Sequence, residues 1–133
     1  MPIEIQLMRE GRVIVEIFTD PLDMDDIVQN LKNHHEILDR SDKPIHSITD
    51  TTGLTRLPSN VLGNSRRSFA TAHPLAGVNV VVTSNAFFKV VAELFIKVVP
   101  HYKIKIYKTM NEGWAEIDRI LAEEQEQLNS KTS

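Results

Sequence analysis

Hydroxyl side chains are concentrated in one segment, residues 48–63, where the sequence reads ITDTTGLTRLPSNVLG. Thr51 and Thr52 follow a run typical of a strand, and Ser59 follows a proline where a helix can begin. A strand end that faces a helix start presents free backbone N–H groups and side-chain oxygens. Such a junction can receive a phosphate or contact a partner protein. We call residues 51–60 the rim.

Acid–base catalysis is the weaker interpretation of the same part of the chain. Asp50, Thr52 and His46 could be combined into an acid–base set, but nothing in their spacing requires one. The sequence has no glycine-rich phosphate loop and no nucleophile elbow, and it contains no cysteine. We therefore expect a protein that is not an enzyme and that uses no cofactor.

The five histidines are scattered and do not form a metal-binding pattern. His34 and His35 are adjacent, and on a helix they would point about 100° apart, so they do not readily share an ion. The other three, His46, His73 and His101, are isolated from one another in the sequence. We expect structural or solvent-facing roles for all five, and no metal site.

Basic residues cluster around the rim and the segment that follows it, at Arg56, Arg66 and Arg67. Solvated surface charge is the first interpretation, and a docking patch for an acidic partner or a phosphate is the second. The whole chain has a net charge of −3, so no overall field attracts nucleic acid. We expect no nucleic-acid partner.

Length and composition predict one globular domain. The 133 residues are 41% hydrophobic and 25% charged, which is ordinary for such proteins. The amino terminus lacks a signal-peptide pattern, and the longest apolar segment, residues 87–99, is too short and too charged to cross a bilayer. We expect a cytoplasmic protein without stable membrane insertion, with a domain at residues 1–128 and a polar tail at residues 129–133.

Hydrophobic periodicity predicts the element order β-β-α-β-α-β-α-β-α. The short link between the first two strands favours an antiparallel hairpin, and the alternation that follows favours right-handed crossovers between parallel strands. The predicted fold class is α/β, with a mixed, mostly parallel five-stranded sheet and four helices. Strands are expected at residues 3–7, 12–18, 45–49, 78–83 and 102–106, and helices at about 21–38, 59–73, 85–99 and 111–127.

The predicted third helix is more apolar than a helix on one side of a sheet needs to be. Its charges, Lys89, Glu93 and Lys97, form a single narrow stripe. The excess apolar surface can be covered by the C-terminal helix, by a second copy or another protein, or by a small apolar ligand such as a lipid. Its candidate contact residues are Phe87, Phe88, Val91 and Phe95.

The element order, together with the sequence TGLTRLP at residues 52–58, resembles the STAS domain of bacterial anti-sigma-factor antagonists. The resemblance extends from about residue 3 to residue 121. It implies a STAS-like, non-enzymatic signalling module that regulates by binding a partner protein, often a serine kinase acting as an anti-sigma factor. In that family, phosphorylation of a serine or threonine at the start of the second helix switches the binding.

The chain departs from that family at the residue that would be phosphorylated. Residues 50–54, DTTGL, look like the family's Asp-Ser-Ser-Gly-Leu, but the helix is expected to begin several residues later. That register aligns residues 58–60, PSN, with Asp-Ser-Ser, so the usual acceptor position holds Asn60. Ser59 and Thr52 stay candidates for phosphorylation, with a cap or turn role as the simpler interpretation of each.

The preferred hypothesis from the sequence is that the chain docks a partner protein, such as an anti-sigma-factor-like kinase, through the rim and the second helix. The alternative is a carrier or sensor that holds a small apolar ligand or lipid under the third helix. A homodimer is compatible with either. The candidate partner-binding residues are Thr51, Thr52, Arg56, Ser59, Asn60, Ser65, Arg66 and Arg67.

Overall fold

The computed structural model describes residues 2–59, 61–63 and 73–132 of the chain. Within these ranges it contains five strands and four helical segments, in the predicted order. The strands are β1 (Ile3–Met8), β2 (Val13–Thr19), β3 (Ile45–Gly53), β4 (Ala76–Val82) and β5 (Lys103–Tyr107). The helices are α1 (Met24–Asp39), α2 (residues 61–63 as far as described), α3 (Ala86–Val98) and α4 (Met110–Thr132).

The strands form one sheet in the order β1-β2-β3-β4-β5. β1 pairs with β2 in antiparallel fashion, and each of the other three neighbouring pairs is parallel. The α/β prediction with a mixed, mostly parallel sheet is therefore confirmed. Because successive right-handed crossovers advance in one direction along the sheet, their helices fall on the same face. Helices α1 and α3 cover that face, and α4 covers the other.

The face under α4 is apolar at its centre. Gly113 allows α4 to approach closely, since a Cβ at this position would lie 3.1 Å from Val82 Cγ2 and 3.2 Å from Val80 Cγ1. Trp114 and Leu121 extend the packing on either side. This arrangement gives the molecule a well-packed core that is built from alternate strand residues. Its buried members are Val13, Val15, Ile48, Val80, Val82 and Ile117.

The opposite face has a smaller apolar core near the amino-terminal ends of β3 and β4. Ile14, Leu38 and Ile45 are buried there, and partly buried residues such as Leu75 and Ala76 pack against them. Farther along the same strands this face becomes polar. The two faces of the sheet therefore differ in character.

The starts of α1 and α3 follow simple capping chemistry. Asp23 and Asp26 form a capping box at α1, and Asp25 adds a second acid to the first turn, where the helix dipole favours negative charge. Asn85 Oδ1 accepts hydrogen bonds from the N–H groups of Phe87 at 2.9 Å and Phe88 at 3.1 Å. These caps fix where each helix leaves the sheet.

Two elements continue at least four residues beyond the ends expected from the sequence, and α1 begins at Met24, about three residues later than expected. β3 continues to Gly53 instead of ending near residue 49, because Gly53 pairs with Thr19 of β2 and Thr51 Oγ1 donates to Val82 O at 2.8 Å. α4 continues to Thr132, so residues 129–132 of the predicted polar tail are helical. The Gln125 side chain donates to Asn129 Oδ1 at 3.1 Å along that last part. None of the described helices combines the length and apolar character needed to cross a membrane.

Candidate ligand-binding cavity

A cavity of about 230 Å³ lies between the sheet and the helices α1 and α3. The helices supply apolar walls, and Leu54 and Leu57, which follow β3, add to them. The strand residues that line the cavity include Thr51 and Thr83, at the carboxyl ends of β3 and β4. Ligands of open α/β sheets commonly bind at this end of the strands. The helix residues in its walls include Ile27, Leu31, Phe88, Val91, Ala92 and Phe95.

The sheet gives this cavity a polar floor. Glu16 and Ser47 are each only 4% exposed, and Thr83 is 5% exposed. Their neighbours in sequence face α4, so the alternation of the strands points these polar side chains away from the apolar core. Burying a polar group costs free energy unless the group forms hydrogen bonds. The hydrogen bonds of these side chains therefore decide how much the polar floor costs the fold. The polar lining residues of the strands are Glu16, Ser47, Thr49, Thr51, Asn79 and Thr83.

Glu16 is bound by two side chains of α1. Its Oε2 accepts a hydrogen bond from Asn30 Nδ2, and its Oε1 lies 3.1 Å from His34 Nδ1. An ionised carboxylate only accepts, so this contact assigns the amide nitrogen of Asn30 and a protonated Nδ1 of His34 to the side facing Glu16. Because Asn30 and His34 are one helical turn apart, α1 delivers both to the same carboxylate.

The carbonyl oxygen of Asn30 takes no part in these hydrogen bonds. Asn30 lines the cavity and is 8% exposed, and its Oδ1 has no hydrogen-bond partner among the described residues. Turning the amide over would satisfy nothing, because the carbonyl would then face the Glu16 carboxylate. An unsatisfied buried acceptor costs about 1–3 kcal/mol. The site therefore carries an acceptor that a bound molecule could satisfy.

A second hydrogen-bonded group joins β3 and β4 on the floor. Asn79 Nδ2 donates to Ser47 Oγ at 2.7 Å and to Thr49 Oγ1 at 3.1 Å. Ser47 and Asn79 stand opposite each other in the parallel register, so the sheet itself fixes this contact. The floor is thus held in place by contacts within the sheet.

His35 also lines the cavity, beside the loop that precedes β4. Its ring centroid lies 5.6 Å from that of His73. Burial lowers the pKa of His35, and the neighbouring His34 and His73 lower it further, while Asp39 partly offsets them. The lowered pKa favours the neutral imidazole at this wall of the cavity near neutral pH.

The described part of the predicted rim separates into a cavity side and a solvent side. Thr51 lines the cavity, whereas Thr52 is exposed and its Oγ1 donates to Asp50 Oδ1 at 2.6 Å. Arg56 and Ser59 are exposed. Thr52 does not stand at the start of α2, as the register argument expects, but it lies in β3 and not in the predicted turn. The first described residue of α2 is 61. The remaining candidates, Asn60, Ser65, Arg66 and Arg67, lie outside the described residues.

The four residues of α3 that the sequence offers as apolar contacts lie on two different sides of the helix. Phe88, Val91 and Phe95 line the cavity, and Phe87 is 66% exposed on the outer side of the helix. Phe87, together with Val90 and Leu94, which are 53% and 41% exposed, forms an outer stripe at helical spacing. α4 packs against the strands from the opposite side of the sheet. The C-terminal helix therefore does not provide the cover that was one of the three alternatives.

The proposed acid–base set is not assembled at this site. His46 faces α4, where its Nε2 lies 2.7 Å from Glu124 Oε1, and its Nδ1 accepts from Val78 N at 2.9 Å. The main-chain N–H assigns the proton of the neutral ring to Nε2, so His46 ties β4 to α4. Among the described residues, no group of three His, Asp or Glu side chains could hold a metal ion.

Sequence reasoning missed the polar side chains that define this site. Glu16 interrupts the apolar run of β2, and Asn79 interrupts that of β4. Asn30 and His34 lie on a helix face that otherwise packs inward. The signal present in the sequence was a polar residue at a position where the hydrophobic repeat predicts an apolar one.

Comparison of the sequence with models of known protein families gives no match. Comparison with curated proteins gives no statistically significant match.

Proposed function

We propose that this protein is a non-enzymatic carrier or sensor of a small ligand that has an apolar body and one polar end. The observation that supports it is the cavity of about 230 Å³ with apolar helix walls and a buried polar floor. A cavity of about 150 Å³ accommodates benzene, whereas drug-sized ligands occupy about 300–1,000 Å³. The proposed ligand is therefore the size of a single ring or a short chain, and two long acyl chains would not fit inside.

The energetics of the floor agree with this proposal. Glu16, Asn30 and Ser47 are buried at positions where apolar side chains would extend the core without a desolvation cost. Proteins tolerate such costs mainly where binding or activity requires them. A cavity that served only as a packing defect would be lined by apolar groups on every side.

A titration of the full chain with 1-hexanol and benzene tests this function, monitored by the backbone amide resonances. We expect shifts concentrated in α1, α3 and the carboxyl halves of β3 and β4. Val91→Trp should fill the cavity and abolish binding, because Val91 lines it. Val90→Trp is the matched control, since Val90 is 53% exposed on the neighbouring position. If neither hexanol nor benzene binds, the proposed function is wrong.

A second candidate is the regulatory, partner-binding module that the STAS resemblance implies. It is favoured by the outer stripe of α3, Phe87, Val90 and Leu94, and by the exposed hydroxyls of Thr52 and Ser59. In this proposal a cytoplasmic protein, such as an anti-sigma-factor-like kinase, docks on the rim and α2. The absence of cysteine agrees with a reducing compartment.

The second candidate makes a separate prediction. Ser59→Glu and Arg66→Glu should each weaken capture of a protein partner, because each places a negative charge on the proposed contact surface. Pull-down yield with the purified variants measures this, and light scattering reports whether the natural chain is a monomer or a homodimer. An unchanged yield with both variants would remove this surface from consideration.

A further inference from the structure

Glu16, Asn30 and His34 form one corner of the cavity. Glu16 receives one amide N–H of Asn30 and the Nδ1–H of His34. What remains open on Asn30 is Oδ1, without a partner among the described residues, and the second N–H of the amide. The neighbouring Glu16 carboxylate adds negative charge to this corner.

We propose that this corner of the cavity recognises a hydrogen-bond donor, so that the polar group of the ligand is a hydroxyl or an amine. The inference rests on the proposed ligand-binding function and specifies the chemistry of the ligand. A hydroxyl or an ammonium group donates to Asn30 Oδ1 and satisfies a buried side-chain acceptor that has no partner among the described residues.

The same arrangement discriminates against anions. A carboxylate or a phosphodiester has only acceptors at neutral pH, so it would leave Asn30 Oδ1 unpaired. It would also bring a second negative charge close to Glu16, which is 4% exposed and poorly screened by water. A fatty acid or a phospholipid headgroup is therefore a poor occupant, although its apolar part would suit the walls.

A donor can reach this acceptor only if surrounding side chains move. Asn30 Oδ1 is itself buried, although the residue lines the cavity. The amide cannot turn away without losing its hydrogen bond to Glu16.

Four probes with six carbon atoms and different ends test the inference on the full chain at pH 7.5. They are 1-hexanol, hexylamine, hexanoate and methyl pentyl ether, the last an isomer of hexanol that keeps the oxygen but lacks the donor. We expect hexanol and hexylamine to bind about tenfold more tightly than the ether and hexanoate, because a missing donor leaves a buried acceptor unpaired. Amide-shift titrations supply the four dissociation constants.

A substitution at Asn30 tests whether this residue causes the preference for a hydrogen-bond donor. Asn30→Leu, made in a Glu16→Leu background so that no unpaired carboxylate oxygen is left in the cavity, removes the acceptor while keeping a side chain of similar size. Hexanol and the ether should then bind with nearly equal affinity, whereas the Glu16→Leu protein alone should keep the preference for hexanol. Gln29→Leu is the control, because Gln29 is exposed on the adjacent position of α1. If the double variant does not fold, the ratio of hexanol to ether affinity in the natural chain decides the question.

The outcomes separate this inference from the proposed function. Hexanoate or ether binding as tightly as hexanol would overturn the donor preference and leave ligand binding in place. A preference for hexanol that persists in a folded double variant would overturn the role of Asn30. Failure of all four probes and of benzene would overturn the proposed function itself.

Discussion

Glu116 on α4 is a single side chain that joins two secondary-structure elements. Its carboxylate accepts hydrogen bonds from Arg119 Nε and from Lys105 Nζ of β5, each at 2.6 Å. These bonds, the one from Arg119 first, lower the pKa of Glu116 to about 2. The side chain is 9% exposed, so solvent screens the ion pairs less than it would at an open surface.

Glu116→Gln should therefore destabilise the protein in a pH-dependent way. Because the folded-state pKa is lowered, the stabilisation is present above about pH 4.5 and is lost as the pH falls toward 2. We expect the variant to lose about 1–2 kcal/mol of unfolding free energy at pH 7 and much less at pH 2.5. Urea denaturation at both values measures the difference.

The control for this prediction is Glu126→Gln, which changes an exposed glutamate on the same helix. It should alter the free energy of unfolding by a few tenths of a kcal/mol at most. A loss for Glu116→Gln that is the same at both pH values would contradict the assigned ion pairs.

The residues of the candidate site were predictable only in part. Phe88, Val91 and Phe95 follow from the helical repeat of α3, which determines the side to which each points. Glu16 was not predictable in the same way, because a lone acid within an apolar strand is most simply interpreted as an exposed position. Its burial depends on the docking of α1, which brings Asn30 and His34 across the sheet.

At the scale of elements, the contact between β3 and β4 depends on the absence of a side chain at Gly77. A Cβ there would lie 2.3 Å from His46 Nδ1 and 3.0 Å from Ile45 O. The same His46 nitrogen accepts from Val78 N, so it cannot move without losing that hydrogen bond. Steric fit and hydrogen bonding thus oppose any larger residue.

Gly77→Ala should lower the free energy of unfolding by about 2–3 kcal/mol, since one added methyl forces the imidazole or the strand to shift. Gly113→Ala is the matched comparison, because its nearest contacts are methyl groups at 3.1–3.2 Å and alanine favours the helix by about 1 kcal/mol. Urea denaturation of both variants measures the two changes. A smaller loss at Gly77 than at Gly113 would disprove the argument.

The order and pairing of the elements were predictable because hydrophobic repeats specify strands and helices and because short links force hairpins. The ends of β3 and α4 were not. Residues 50–53, DTTG, have turn chemistry, yet their pairing with β2 keeps them in the strand. The residues after 128 are polar, but no proline or glycine follows to end the helix, and α4 continues to Thr132.

At the scale of the whole molecule, the cavity costs packing energy while it provides the space for the proposed ligand. Empty apolar space leaves side chains without packing partners, so filling it should stabilise the ligand-free protein. Ala92 lines the cavity on α3 and offers a position from which it can be filled.

Ala92→Leu should raise the free energy of unfolding by about 1 kcal/mol and weaken hexanol binding at least tenfold, because the added carbons occupy the ligand's space. Ala115→Leu makes the same change at an exposed position of α4 and should do neither. Denaturation curves and hexanol titrations of the two variants provide the comparison. Tighter hexanol binding by the Ala92 variant would contradict the location of the ligand.

The two sides of the sheet contribute differently to this protein. The layer between the strands and α4 holds the larger apolar core and is tied to β3 by the contact of His46 with Glu124. The layer beneath α1 and α3 holds the smaller core together with the cavity. New specificities could accordingly be introduced by exchanging a few side chains on those two helices, without re-engineering the rest of the scaffold.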